Sequence, residues 1–228
     1  LIVGRGLLGE SLNKLRHEDV ILFASGVSNS NEQNSSEFER EANLLIRTID
    51  GTVKKHFYYF STCSIFDPGL ADSSYISHKK RMEAIVLSKP TGRVIRLPNI
   101  VGPTGNPANL VNYLKHSIKQ ANPIKIQSHA TRYLLGVDEM NLLLQDVVDN
   151  AGEKQIISLV PPKNIKVTSV VSIIESILVT QANIELVDGG TPYEVDFSDT
   201  KYHASRLGFE FGQMYYENTL EKWCKLET

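Results

Sequence analysis

The chain has 228 residues, 41% of them hydrophobic and 22% charged, with a formal net charge of −2. These values exclude disordered and fibrous classes and leave no electrostatic footprint for nucleic acid or anionic lipid, though a local basic pocket for a phosphorylated small molecule is compatible with them. Two cysteines without CxxC spacing, Cys63 and Cys224, and six histidines never three or four positions apart argue against a disulfide framework and against a zinc site. No apolar stretch approaches the ~20 residues of a spanning helix, and the opening Leu1-Ile2-Val3 follows no basic n-region. The expected setting is cytoplasmic and the expected partner small, with neither membrane nor nucleic acid involved.

Leu1 to Val3 reads as a short buried strand, and Gly4-Arg5-Gly6-Leu7-Leu8-Gly9 opens a helix through Leu15 with Leu8, Leu12 and Leu15 on one face. A second strand, Val20 to Ala24, passes into the polar loop Ser25 to Ser36, and Glu37 to Ile49 follows as an amphipathic helix with Phe38, Leu45 and Ile49 inward. Phe57 to Phe60 is a third strand, ended by Ser61-Thr62-Cys63-Ser64. After the Pro68-Gly69 turn, Tyr75 to Ser88 reads as a helix and Val94 to Leu97 as a fourth strand. Beyond Gly102 come a helix near Leu110 to Gln120, a short strand at Ile124 to Ile126, a helix over Asp138 to Asn150 and a last parallel strand at Ile156 to Val160. Thr168 to Gln181 carries an N-cap and helical spacing, and a final helix holds Tyr215, Leu220 and Trp223.

Strands alternating with helices give a parallel, doubly wound α/β sheet whose ligands bind beyond the carboxyl ends of the strands, where Gly6, Thr62 and Asn99 all fall. Gly4-x-Gly6-x-x-Gly9 between strand and helix suits a pyrophosphate, because backbone N–H groups can approach the phosphates. Glycines that merely shape a tight turn give the same pattern. Tyr75 and Lys79, four apart, share a helix face, so the ammonium can sit beside the phenol and favour phenolate, a group able to move the proton of a sugar hydroxyl. Thr62, just past the preceding strand, can hydrogen-bond the same carbonyl oxygen. A chance Tyr and Lys four apart is common; the three residues in this order are much less so. His78 points off that face and is expected in solvent.

These segments together resemble the extended short-chain dehydrogenase/reductase family that makes nucleotide sugars. Phe60-Ser61-Thr62-Cys63-Ser64-Ile65-Phe66 is similar to its serine/threonine motif, Tyr75-x-x-x-Lys79 to its catalytic helix, and Arg96 to Pro103 to its RxxNxxGP segment. Arg132 before Tyr133-Leu134-Leu135-Gly136-Val137-Asp138 resembles an arginine ahead of a "VDD"-like helix start, and Leu207-Gly208-Phe209 a late "LGF" turn. The resemblance implies Thr62, Tyr75 and Lys79 as catalytic, Tyr75 as acid/base and Lys79 on the nicotinamide ribose. It implies cofactor contacts from Gly4, Arg5, Gly6, Leu7, Leu8, Gly9, Ala24, Ser25 and Pro98, and substrate contacts from Cys63, Ser64, Asn99 and Arg132, with Arg132 clamping the diphosphate. It further implies a Rossmann-like core over 1–102 to which 133–162 return, a small C-terminal α+β substrate-binding subdomain from 103–132 and 163–228, and a homodimer.

The sequence also departs from the family. Arg16-His17-Glu18-Asp19 leads straight into Val20, so one early strand-helix unit, the one ending in an adenosine-reading residue, is missing. NAD therefore loses its usual warrant. Arg5 gives a lean to NADP, with weak or lost cofactor binding as the alternative. The interval from Thr62 to Tyr75 is short, opening the pocket. Cys63 and Ser64 stand where family dehydratases carry acidic residues, which disfavours dehydration; Cys63 is expected to serve packing rather than proton transfer. The expected activity is an NAD(P)-dependent reductase or 4-epimerase of a nucleotide-diphospho-sugar, with no metal. Its rivals are a non-catalytic nucleotide-sugar or dinucleotide-binding protein and an atypical reductase of a non-sugar carbonyl.

Overall fold

The computed structural model describes residues 1–15, 17–51, 55–103, 106–150 and 152–225. Five parallel strands form the central sheet in the order β1 (Ile2–Val3), β2 (Val20–Phe23), β3 (His56–Thr62), β4 (Gly92–Leu97) and β9 (Ile156–Ser158). Register runs through Leu22↔Tyr58 and Tyr59↔Val94 to Ile95↔Ile157. Because strand side chains alternate, Phe57 and Tyr59 face one side and Tyr58 and Phe60 the other, and both faces are covered by helices. Helices α2 (Ser35–Asp50) and α3 (Ser74–Leu87) cover the first, burying Leu45, Ile49, Met82 and Val86. Helices α1 (Leu7–Ser11), α5 (Val137–Asp149) and α7 (Ser198–Leu207) cover the second around Leu12, Met140, Leu143 and Ala204. This is the Rossmann-like parallel architecture expected from the alternation of strands and helices.

The strand order runs one way without reversing, and among the described residues β1 is an edge strand hydrogen-bonded to β2 alone. The missing unit explains it. After α1 the chain makes a 3₁₀ turn, Leu12–Lys14, and enters β2 within a few residues, with no crossover to build further strands beyond β1. Arg16, in that junction, lies outside the described residues. Helix α1 is correspondingly shorter than the expected run to Leu15, stopping at Ser11, whose hydroxyl donates to Leu8 O at 3.0 Å.

The remaining elements gather beside the carboxyl end of the sheet. Strand β5 (Asn99–Val101) pairs in parallel with β8 (Leu134–Gly136), β6 (Pro123–Gln127) with β11 (Asn183–Val187), and β7 (Thr131–Arg132) antiparallel with β10 (Ile165–Lys166). Helices α4 (Leu110–Lys119), α6 (Val167–Leu178) and α8 (Tyr215–Cys224) pack against them through Leu114, Ile118, Val170, Val171, Ile174 and Leu220. Helix α6 begins one residue before the expected Thr168 cap and has no side-chain cap; Val167 N–H is satisfied by Ala130 O at 3.0 Å, so β-pairing rather than a hydroxyl starts it. It ends at Leu178 because Val179 turns left-handed, at φ 53°. Among the described residues no helix is long and apolar enough to cross a membrane.

Candidate functional site

A cleft of about 930 Å³ opens beyond the carboxyl ends of β2, β3 and β4. Each strand end delivers a different chemistry to it. The β1–α1 turn contributes Arg5, Gly6, Leu7 and Leu8, the loop after β2 contributes Ala24 to Asn31, β3 contributes Thr62 and then Ser64, and the end of β4 contributes Pro98 and Asn99. Tyr75 and Lys79 reach it from α3, and Arg132 from β7. The residues singled out in the sequence thus converge, with three exceptions: Gly4, Gly9 and Cys63 lie outside the lining.

The glycines divide by function. A Cβ on Gly4, which has φ +140°, would come within 2.3 Å of Ala24 O, and one on Gly9 within 2.4 Å of Gly4 O. Those two let turn, strand and helix approach closely. Gly6 is different, for a Cβ there meets nothing within 4 Å, and the backbone faces the cleft. The turn can therefore take a phosphate at Gly6. At the nicotinamide end Lys79 and Tyr75 are available. At the far end β1 is an edge, and no described strand lies beyond it to meet an adenosine ribose. The residues present fit the pyrophosphate and nicotinamide halves of a dinucleotide better than the adenosine half.

Helix α3 starts cleanly because Ser73 caps it, accepting from Ile76 N at 3.2 Å. Its buried face carries Tyr75, His78, Lys79, Met82, Glu83 and Val86. Arg96 on β4 grips Glu83 through Nε at 3.0 Å and Nη2 at 2.6 Å, a paired contact that fixes the helix against the sheet. Tyr75 is only 5% exposed; burial, partly offset by a hydrogen bond with Thr62 and assisted by the negative charge of Glu41, pushes its phenol up to about 12. The phenol therefore holds its proton at neutral pH.

Two expectations are corrected here. The Lys79 ammonium does not favour phenolate at Tyr75, since it lies 5.8 Å from the centroid of the Tyr75 ring and is instead bound by Glu41 Oε1 at 3.1 Å and Tyr59 Oη at 3.0 Å. A fully buried carboxylate outcompetes a neutral phenol for a buried cation. His78 is not in solvent either: it is 6% exposed, with Nε2 3.0 Å from Glu41 Oε2 and its ring against Phe38. Glu41, which organises both contacts, went unread in the sequence. Its signal was there: it stands four positions before Leu45 on the apolar face of α2, where a lone carboxylate needs partners.

Arg132 is held by Asp67, Nη1 to Oδ2 at 3.2 Å, and also donates to Thr131 O at 2.7 Å. Asp67 sits in the short Thr62-to-Tyr75 interval, where it also caps the 3₁₀ turn Pro68–Leu70 by accepting from Gly69 N at 2.9 Å. Asn99 Nδ2 donates to Tyr133 O at 3.3 Å while lining the cleft. Cys63 is 1% exposed among Tyr133, Val160, Tyr193 and Val195, and burial pushes its thiol well up, so it stays a protonated packing group. Both cysteines are free and buried. Among the described residues no group of three or more metal-ligating side chains comes together.

No family model and no curated protein sequence matches the chain. Solved structures do. The fold is similar to dTDP-glucose 4,6-dehydratase from Bacillus anthracis in complex with NAD, at a TM-score of 0.71 and 16% identity, over 95% of this chain and 74% of that one. It is similar to UDP-glucuronic acid 4-epimerase from Bacillus cereus in complex with UDP-glucuronic acid and NAD, at 0.67 and 14%, over 96% and 77%. It is also similar to RMD from Pseudomonas aeruginosa complexed with NADPH, at 0.66 and 14%, over 96% and 85%. At such identities the likeness is one of fold.

Proposed function

We propose that the protein is an NAD(P)-dependent reductase or 4-epimerase of a nucleotide-diphospho-sugar, with Tyr75 as its acid/base. The observation that carries this reading is the convergence of Thr62, Tyr75, Lys79, Gly6 and Arg132 on one cleft. Its fold is shared with enzymes solved with NAD or NADPH and, in one case, with UDP-glucuronic acid. Nicotinamide, when bound, supplies or accepts the hydride at the sugar carbon. Tyr75 gives its proton to the carbonyl oxygen as the hydroxyl forms, and the Thr62 hydroxyl orients that oxygen. The protonated resting phenol suits this reductive direction. Arg132, pre-aimed by Asp67, meets the diphosphate, and Asn99 a sugar hydroxyl.

The test is purified protein with NADH or NADPH and a panel of 4-keto nucleotide sugars and C4 epimers. Turnover that Tyr75→Phe abolishes is expected; absence of both oxidation and epimerisation across the panel would overturn the assignment. A second reading, a binding protein without turnover, is favoured by the bare edge at β1. Calorimetry showing tight sugar-nucleotide binding with no turnover selects it.

A further inference from the structure

We propose that Glu41 is a positioning residue that fixes Lys79 and the cleft wall at Gly26–Val27 in one arrangement, building the floor on which the nicotinamide end of a dinucleotide rests. This rests on the reading of Lys79 as the cofactor-facing lysine. Glu41 does not itself line the cleft, and nothing in the motifs points to it.

The geometry is that of a saturated carboxylate. Oε2 accepts from Val27 N at 2.6 Å and lies 3.0 Å from His78 Nε2; Oε1 accepts from Tyr59 Oη at 2.6 Å and from Lys79 Nζ at 3.1 Å. Lys79 also donates to Tyr59 Oη at 3.0 Å. Glu41 is 0% and Lys79 2% exposed, so each charge depends on the other. Glu41, through both oxygens at 3.1 and 3.4 Å, and Tyr59 hold the ammonium in place where the residue lines the cleft.

Two contacts extend this effect to the reacting groups. Val27, anchored by its amide, packs its side chain on Tyr75 and Ile76. Gly26 passes so close over the pair that a Cβ there would lie 2.7 Å from Lys79 Nζ and 3.0 Å from Glu41 Oε1. One carboxylate on α2 thus joins α3, β3 and the loop after β2. These two contacts tie the ion pair to the cleft wall as well as to the core.

The charged and titratable groups facing Lys79 are Glu41 and Arg40 on α2, Tyr59 on β3, and Tyr75 and Glu83 on α3, with His78 reaching Glu41 from the same helix. Burial favours the neutral amine and the Glu41 carboxylate opposes it. Removing that carboxylate alone therefore moves Lys79 toward the amine.

The experiment compares wild type with Glu41→Gln, checked for folding by its melting transition, and uses two readouts that need no turnover. One is the pH dependence of Lys79 acylation by an amine-reactive reagent, followed by mass spectrometry; the other is the affinity for NADPH. Expected are Lys79 labelling about tenfold faster with its midpoint about one pH unit lower, and NADPH binding about tenfold weaker. A folded Glu41→Gln protein with unchanged labelling and unchanged affinity overturns the proposal. Should that variant not fold, Tyr59→Phe, which removes one partner of Lys79 and keeps the carboxylate, decides by the same readouts, with a smaller acceleration expected and none overturning it. Wild type that binds no dinucleotide would sink the functional reading, while Lys79 labelling would still decide the role of Glu41.

Discussion

The two ends of the cleft are built to different standards. At β3, six of seven residues are buried, strands flank it on both sides, and its carboxyl end presents Thr62 under a helix tied down by Arg96–Glu83 and Glu41–Lys79. At β1, two half-buried residues pair on one side only and lead to a turn whose helix is five residues long. On the proposed function, the difference separates the half of the cleft that would carry the chemistry from the half that would read adenosine. The half holding Tyr75 and Lys79 is braced from α2, β3 and β4, and the other half is reduced to the short Gly4–Gly9 turn.

The largest effect that can break this comparison lies at the braced end. With Tyr75 as the proposed acid/base, Tyr75→Phe should lower kcat by about 10³-fold in a protein that still folds; a fall below tenfold in steady-state assays would strip Tyr75 of its role. Next comes stability. Glu41→Ala leaves Lys79 buried and unpaired, and urea denaturation should record a loss of about 3–5 kcal/mol, whereas Val3→Ala on β1 should cost about 1 kcal/mol or less. Equal losses would erase the distinction.

Acid titration sharpens the same point. Burial pushes the Glu41 carboxyl up, yet its bonds with His78, Tyr59 and Val27 and the charge of Lys79 prevail and hold it at about 2. A carboxyl held lower in the folded than in the unfolded chain contributes stability above its unfolded value of 4.5, lost as pH falls from there toward 2. Wild-type stability should therefore drop across that window, and Glu41→Gln should show a shallower drop. Smaller still, Arg132→Ala should weaken nucleotide-sugar binding about tenfold by calorimetry. Arg5→Ala, at the poorly built end, should weaken NADPH only a few-fold and NADH hardly at all.

Most of this fold was legible because alternating strands and amphipathic helices state it directly, and the missing unit was legible as a junction too short to hold a crossover. The convergence of Gly6, Thr62 and Asn99 followed from their places just past strand ends, and Tyr75 and Lys79 join them from α3. Polarity misled at α3, where His78 read as solvated, because burial of a charged face is licensed by a partner on another helix, Glu41, that no local pattern reveals. The same partner redirected Lys79 away from the Tyr75 phenol. Strand β11 was missed since Ile184 and Leu186 are exposed and its pairing with β6 is long-range. Asp67 was missed as an anchor because its link to Arg132 joins segments far apart in sequence.

The most direct test is a titration of the protein with NADPH, NADH and reduced nicotinamide mononucleotide, followed by mixing each complex with a 4-keto nucleotide sugar. A well-built nicotinamide end with little adenosine support predicts affinities within about tenfold of one another and Tyr75-dependent loss of the reduced nicotinamide signal from all three. Binding confined to the dinucleotides, with the mononucleotide neither bound nor oxidised, would contradict it.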